Sequence, residues 1–211
     1  MQRKYTGCMN IKVSCKAIKL FTNAVWGEEM YLISIYFDEE TNKTIQSYIN
    51  AVAKSTGNTY MIEGKVPPHI TISSIEATYE SEDQIVHVLE ETAKKLIQGK
   101  LQWVSVGIFL PYVMYLTPVL NEYLHGLTSV VYESLLNVDK IRISQYYRPF
   151  QWLPHTTIGK KMSQEEMRKA FEVMQNQFVP FTGKVTKIGL AKTNPYREIV
   201  TFELKENRSD N

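Results

Sequence analysis

The stretch PPHITIS, residues 67 to 73, places two prolines and a histidine ahead of β-branched residues, with Thr71 two positions beyond His69. A strand buried on both faces favours Val or Ile at such places, because imidazole and hydroxyl groups sit poorly in an apolar core. The pattern returns in LPHTTIGKK, residues 153 to 161. Pro68-His69-Ile70-Thr71-Ile72 and Pro154-His155-Thr156-Thr157-Ile158 agree at four of five positions, 86 residues apart. Successive strand side chains alternate between faces. His69 and Thr71 therefore share one face and Ile70 and Ile72 the other; His155 and Thr157 share a face opposite Thr156 and Ile158. Each strand buries one side and presents an imidazole beside a hydroxyl on the other, and the prolines bias its start towards an extended chain.

Outward from the two strands, four segments carry apolar residues at helical spacing. They contain Ile45, Tyr48, Ile49 and Val52; Ile85, Val88, Leu89 and Leu96; Leu120, Tyr123, Leu124, Leu127 and Val131; and Met167, Ala170, Phe171 and Met174. Ser81 with Gln84, and Ser163 with Glu166, have the spacing of capping boxes that start the second and fourth helices. Strand-like runs begin at Tyr31, His69, His155, Val185 and Ile199. No charge occurs from Leu101 to Asn121. That length suits a membrane span, but Pro111 and Pro118 would each interrupt a helix, so we read two buried strands turning at Leu110-Pro111. Strand, helix, strand, helix, hairpin, helix, strand, helix and two strands give an α+β fold with an internal duplication around the two motifs.

The chain has 211 residues, is 44% hydrophobic and 22% charged, and carries a net charge of +2. That is the composition of an ordinary globular domain. Residues 1 to 27 hold Arg3, Lys4, Lys12, Lys16 and Lys19 with no acid, so the remainder carries −3. We read residues 1–29 as a basic, poorly packed leader and 30–211 as one bilobal domain. Cys8 and Cys15, both in the leader, make neither a disulfide framework nor a zinc set. A reducing, cytoplasmic setting is the expectation.

A lone His-x-Thr carries little, since a strand histidine is commonly satisfied by a backbone carbonyl. His87 and His125 are bland cases in helical patterns. Two histidines in one repeated context are harder to dismiss. A pair of imidazoles supplies a general base and a general acid near neutral pH, and flanking threonine hydroxyls can donate to an anion between them. Transfer at a phosphodiester needs that set, without a metal or other cofactor. Walker A, G-x-G-x-x-G, H-E-x-x-H, paired C-x-x-C and G-x-S-x-G patterns are all missing from the sequence.

The two motifs, half the chain apart, resemble those of the two-histidine (2H) phosphoesterase superfamily, in particular its 2'-5' RNA ligase and RNA 2',3'-cyclic phosphodiesterase branch. The resemblance runs from Met30 to Leu204 and takes in YLISIYF, SVGIFLPYVMYLTP and VTKIGLAKTNPYREIVTFEL. It implies two pseudo-symmetric lobes of antiparallel sheet with outer helices, flanking a groove that carries both His-x-Thr motifs. His69 and His155 would be catalytic; Thr71 and Thr157 would bind phosphate. Of the basic residues near the motifs, Lys65, Arg148, Lys160 and Lys161, we place Lys160 at the phosphate. Tyr36, Phe109, Tyr146, Tyr147, Phe150 and Trp152 could each stack a base, and Phe150 and Trp152, close before the second histidine, are the preferred candidates.

The implied activity is a cyclic phosphodiesterase acting on 2',3'-cyclic phosphate ends or 2'-5' linkages. In the superfamily's scheme His155 deprotonates water and His69 protonates the departing 3' oxygen; the roles can be exchanged, and the reverse reaction joins ends. The alternative is a non-catalytic module that binds a nucleotide or RNA end in the same groove. The expected partner is an RNA end or small cyclic nucleotide, bound by a monomer with no membrane, metal or cofactor. The negative charge outside the leader suits so small a ligand better than a long RNA.

Overall fold

The computed structural model describes residues 28 to 206; residues 1 to 27 of the expected leader, and residues 207 to 211, lie outside the described residues. In chain order the elements are β1 (Glu28–Phe37), α1 (Glu39–Thr56), α2 (Tyr60–Glu63), β2 (Ile70–Thr78), α3 (Glu82–Ala93), β3 (Gly99–Phe109), β4 (Val113–Pro118), α4 (Glu122–Leu135), β5 (Ile141–Ile143), β6 (Thr156–Lys160), α5 (Gln164–Gln177), β7 (Phe181–Lys192) and β8 (Arg197–Glu203). Only the one-turn α2 and the three-residue β5 add to the order expected from sequence.

The eight strands form one sheet in the order β5-β2-β1-β7-β3-β4-β6, with β8 also on β7. All named pairings are antiparallel. β7 unites the two lobes. Its first half, Phe181 to Val185, pairs with β3, and its second half, Lys187 to Lys192, pairs with β8. Val185 also pairs with Phe37 of β1, and Lys187 with Tyr36, so β3 and β8 share the edge opposite β1. Although β2 and β6 are far apart in the strand order, they come into contact. The two halves of the sheet therefore turn towards each other and bring the motifs together.

Helices cover the other face. α1 packs on α5, β6 and β7, while α3 packs on α4, β7 and β8. Their apolar stripes (Ile45, Ile49 and Val52; Ile85 and Leu89; Leu124, Leu127 and Val131; Met167, Ala170 and Met174) are buried against Ile33, Ile35, Ile70, Ile72 and Ile158. Phe171, expected in the α5 stripe, is instead 50% exposed. Ser163 and Glu166 form the full capping box of α5. Ser81 stands at the N-cap of α3 without a capping bond, and its hydroxyl lies 3.3 Å from that of Thr78 instead.

The uncharged run is the β3–β4 hairpin, and among the described residues no helix is long and apolar enough to cross a membrane. Only β4 and the start of β3 are buried as expected. Beyond Trp103, β3 has left β7 behind and projects with β4 past the core, exposing Ile108, Phe109, Leu110 and Tyr112.

One polar bond in the core explains why the second motif reads His-Thr-Thr. Trp103 is fully buried, and its indole N–H donates to the Thr156 hydroxyl at 3.1 Å. Thr156→Val preserves shape but leaves that donor unpaired in the core, at a cost of about 1–3 kcal/mol. The expected result is a lower denaturation midpoint at an unchanged m-value; an unaltered midpoint would show that the bond contributes no stability.

Candidate active site

Each histidine immediately precedes its strand, held by the same local hydrogen bond. His69 Nδ1 lies 2.8 Å from the carbonyl of Pro67, and His155 Nδ1 lies 3.0 Å from that of Leu153. A carbonyl only accepts, so each Nδ1 carries the proton and donates it. Each Nε2 is then an unprotonated acceptor in the neutral ring. The intervening Pro68 and Pro154 are both buried and hold the turn in place.

Register fixes what shares with them the sheet face turned away from the core, the face expected to line the groove. Opposed residues in an antiparallel pair point the same way. Ser34 faces Thr71, and Tyr115 faces Thr157. Both ladders then shift by one residue, at Ile72 in β2 and at Ile158 in β6, the same place in each motif. A bulge of this kind reverses the alternation beyond it. After Ile158, Gly159 pairs with core-facing Met114 and Lys160 pairs with Val113. Lys160 thereby joins Thr157 on the groove face, where strict alternation would have put Lys161. Lys161 goes elsewhere, its ammonium 4.5 Å above the Tyr60 ring. The corresponding residue after the first motif is Ser74.

Aromatic side chains support both imidazoles. Tyr36 of β1 lies 6.2 Å from His69, while Phe109 and Tyr115 lie 4.8 and 5.4 Å from His155. Glycines make room for both tyrosines. A Cβ on Gly107 would sit 2.4 Å from the Tyr115 ring, and one on Gly189 would sit 3.0 Å from that of Tyr36. The Tyr36 hydroxyl hydrogen-bonds Tyr196, and burial holds its pKa well above the usual phenol value. A cavity of about 690 Å³ adjoins the first motif, lined by Tyr36, Pro67, Pro68, Lys187, Glu198 and Thr201 among others; it borders the site without containing either histidine.

The two threonines differ. Thr157 is half-buried, whereas Thr71 is buried with its hydroxyl 3.3 Å from that of Ser34. Of the aromatics considered for stacking, Tyr36 and Phe109 lie beside the histidines, whereas the two preferred for their nearness to His155 in sequence are placed differently. Trp152 is part of the core, with its indole N–H unpaired among the described residues. Phe150 is 84% exposed and packs 4.0 Å from His125 of α4. Tyr115 and Ser34 were not anticipated, and only strand register identifies them.

Burial pushes both imidazoles below the usual histidine pKa of 6.5. The charges of His155 and Lys160 lower His69 further. A depressed folded pKa means that the unfolded chain binds more protons as pH falls through the ordinary value. The stability contributed by the neutral rings is present above pH 6.5 and is lost below it. Denaturant unfolding between about pH 8 and pH 5 should show this decline, and His69→Asn combined with His155→Asn should flatten it. An equally steep decline in the double variant would assign it to other groups.

Comparison with known proteins agrees with this fold. The family model described as the 2'-5' RNA ligase superfamily matches residues 44–197. The crystal structure of E. coli LigT complexed with 3'-AMP is similar with a TM-score of 0.56 and 15% identity, covering 84% of this chain and 98% of that one. TT0787 of Thermus thermophilus gives 0.57 and 13%, covering 85% and 100%. The MHV ns2 PDE domain gives 0.50 and 13%, covering 77% and 99%. No curated protein matches the chain significantly by sequence.

Proposed function

The chain belongs to the 2'-5' RNA ligase superfamily, and from that membership we propose that it is a metal-independent phosphodiesterase acting on 2',3'-cyclic phosphate ends or 2'-5' linkages of RNA or small nucleotides. The observation that carries this reading is the matched tethering of both imidazoles through Nδ1. It leaves two Nε2 atoms, on strands brought into contact, to serve as acid and base for one phosphate. The 3'-AMP bound to LigT, a protein of the same fold, supports a ligand of nucleotide size.

In the proposed reaction on a cyclic end, Nε2 of one neutral histidine takes a proton from water as the water oxygen bonds to phosphorus. The bond from phosphorus to the 3' oxygen breaks, and the other histidine, entering protonated, donates its Nε2 proton to that oxygen. The products are a 3' hydroxyl and a 2'-phosphate. We assign the base to His155 and the acid to His69. Thr157, Thr71 and Lys160 donate to the non-bridging oxygens, where negative charge accumulates. With a 5' hydroxyl in place of water as the attacking group, the same bond to the 3' oxygen breaks and the same groups join two ends through a 2'-5' linkage.

Hydrolysis of nucleoside 2',3'-cyclic phosphates should persist in EDTA. His69→Ala and His155→Ala should each lower kcat by roughly a hundredfold to ten-thousandfold, the usual value of proton transfer. Thr157→Val should cost roughly tenfold to a hundredfold, as expected for a hydrogen bond to a charged group of about 1.5–3 kcal/mol. Thr71→Val should also lose stability, because Ser34 loses its buried partner. Nucleotide binding without turnover by the wild-type protein would overturn the enzymatic reading and leave a binding module.

The pH profile is a separate check. The alkaline limb of kcat/KM marks loss of the acid's proton in the free enzyme, so it should fall below pH 6.5. A bound anion favours the imidazolium, which should displace the limb of kcat upward. A kcat/KM limb well above neutrality would show that the acid is not an imidazole held below its usual pKa.

A further inference from the structure

Among the described residues, Phe109 is an aromatic ring that is both exposed and fixed beside one of the two motif imidazoles. It stands on the groove face of β3, opposite Val113, and is 37% exposed. Its ring meets that of His155 at 4.8 Å and 86°, and that of Tyr115 at 4.3 Å and 31°. Tyr115 is itself buried and lies across Gly107, where any Cβ would strike it. Phe109 is thus braced from two sides while part of its surface remains open to solvent. No charged side chain occurs from Leu101 to Asn121, so this hairpin offers a ligand flat apolar contact in place of ion pairing. Neither of the two stacking candidates preferred from sequence meets both conditions: Trp152 is inaccessible, and Phe150 packs on α4.

We propose that Phe109 is the nucleobase seat of the site, stacking the base of the nucleotide whose phosphate lies between His69 and His155. The proposal rests on the phosphodiesterase reading and adds to it the part of the substrate that does not react. One ribose separates base from phosphate, so a phosphate held at His155 Nε2 brings its base within reach of a ring that touches the same imidazole. Stacking is tolerant of sequence because every base has a flat face. The site therefore accepts all four bases and ranks them by stacking area, with purines ahead of pyrimidines.

The test compares adenosine 2',3'-cyclic phosphate with a 1-O-methylribose 2',3'-cyclic phosphate, which keeps the reacting ring and lacks the base. The ratio of the two kcat/KM values measures what the base contributes. Phe109→Ala and Phe109→Leu should both lower that ratio roughly tenfold or more, mainly through KM for the nucleotide, and Phe109→Trp should retain it. Leucine guards against a folding defect, since it keeps apolar bulk and removes only the flat face. An unchanged ratio in either variant overturns the proposal. A ratio unchanged because both substrates lose activity equally makes Phe109 a prop for His155. If the wild-type protein turns over neither substrate, the phosphodiesterase reading fails separately. Calorimetric binding of 3'-AMP then decides for Phe109: roughly tenfold weaker binding by the leucine variant supports the base seat, and equal binding refutes it.

Discussion

The site depends on one hydrogen bond made twice, from a histidine Nδ1–H to the carbonyl two residues earlier. An imidazole free to turn offers either nitrogen, in either tautomer, to a ligand. The tether removes that freedom: Nδ1 is committed to the backbone and Nε2 is left for chemistry. A buried proline between acceptor and histidine makes the tether dependable, because its φ is fixed and the carbonyl before it cannot swing away. The prolines of the repeated motif therefore shape the ring's surroundings as well as starting the strand.

The next constraint is the shared bulge. β2 and β6 each carry one extra residue, Ile72 and Ile158, directly after the motif threonine. Without it, the groove face would run His, Thr, Ser73 in one strand and His, Thr, Gly159 in the other. With it, the following groove residues become Ser74 and Lys160. The duplication thus supplies matched frames and then departs from symmetry at one position. A single ammonium stands beside the second motif, and a hydroxyl stands beside the first. That one difference gives a nearly symmetric cleft a positive side, and Lys160 is felt as far as His69.

How much was legible in the sequence follows from the range of the forces involved. Helices α1, α3, α4 and α5 announced themselves through stripes of buried residues, and the α5 capping box through a three-residue spacing, because those interactions are local. The histidine-threonine pairs were legible because alternation holds over two residues. Lys160 was picked for its nearness to His155, yet its place depends on a bulge that no pattern of residue types reveals. Trp152 misled for a related reason: three residues from His155 in sequence, it faces the core across a turn. Phe109 lies 46 residues before His155. Only the pairing of β3 with β4, and of β4 with β6, brings the two rings together. Three-residue β5 is too short to show any period.

Electrostatics set the scale of the ligand. Both imidazoles are held towards neutrality by burial, so in the free protein the positive charge beside the second motif is that of Lys160. Affinity for a long polyanion comes from many cations along its backbone, each releasing counterions. One ammonium with neutral donors matches one phosphate. The proposed acid must nevertheless hold a proton when the bond to phosphorus breaks. A phosphate close to both Nε2 atoms supplies what the free site lacks, a negative charge that favours imidazolium. Anion binding and proton uptake are then two sides of a single equilibrium, each strengthening the other by the same factor. In a groove arranged in this way the two imidazoles stay neutral while it is empty and, in the proposed reaction, become an acid-base pair when a phosphate enters it.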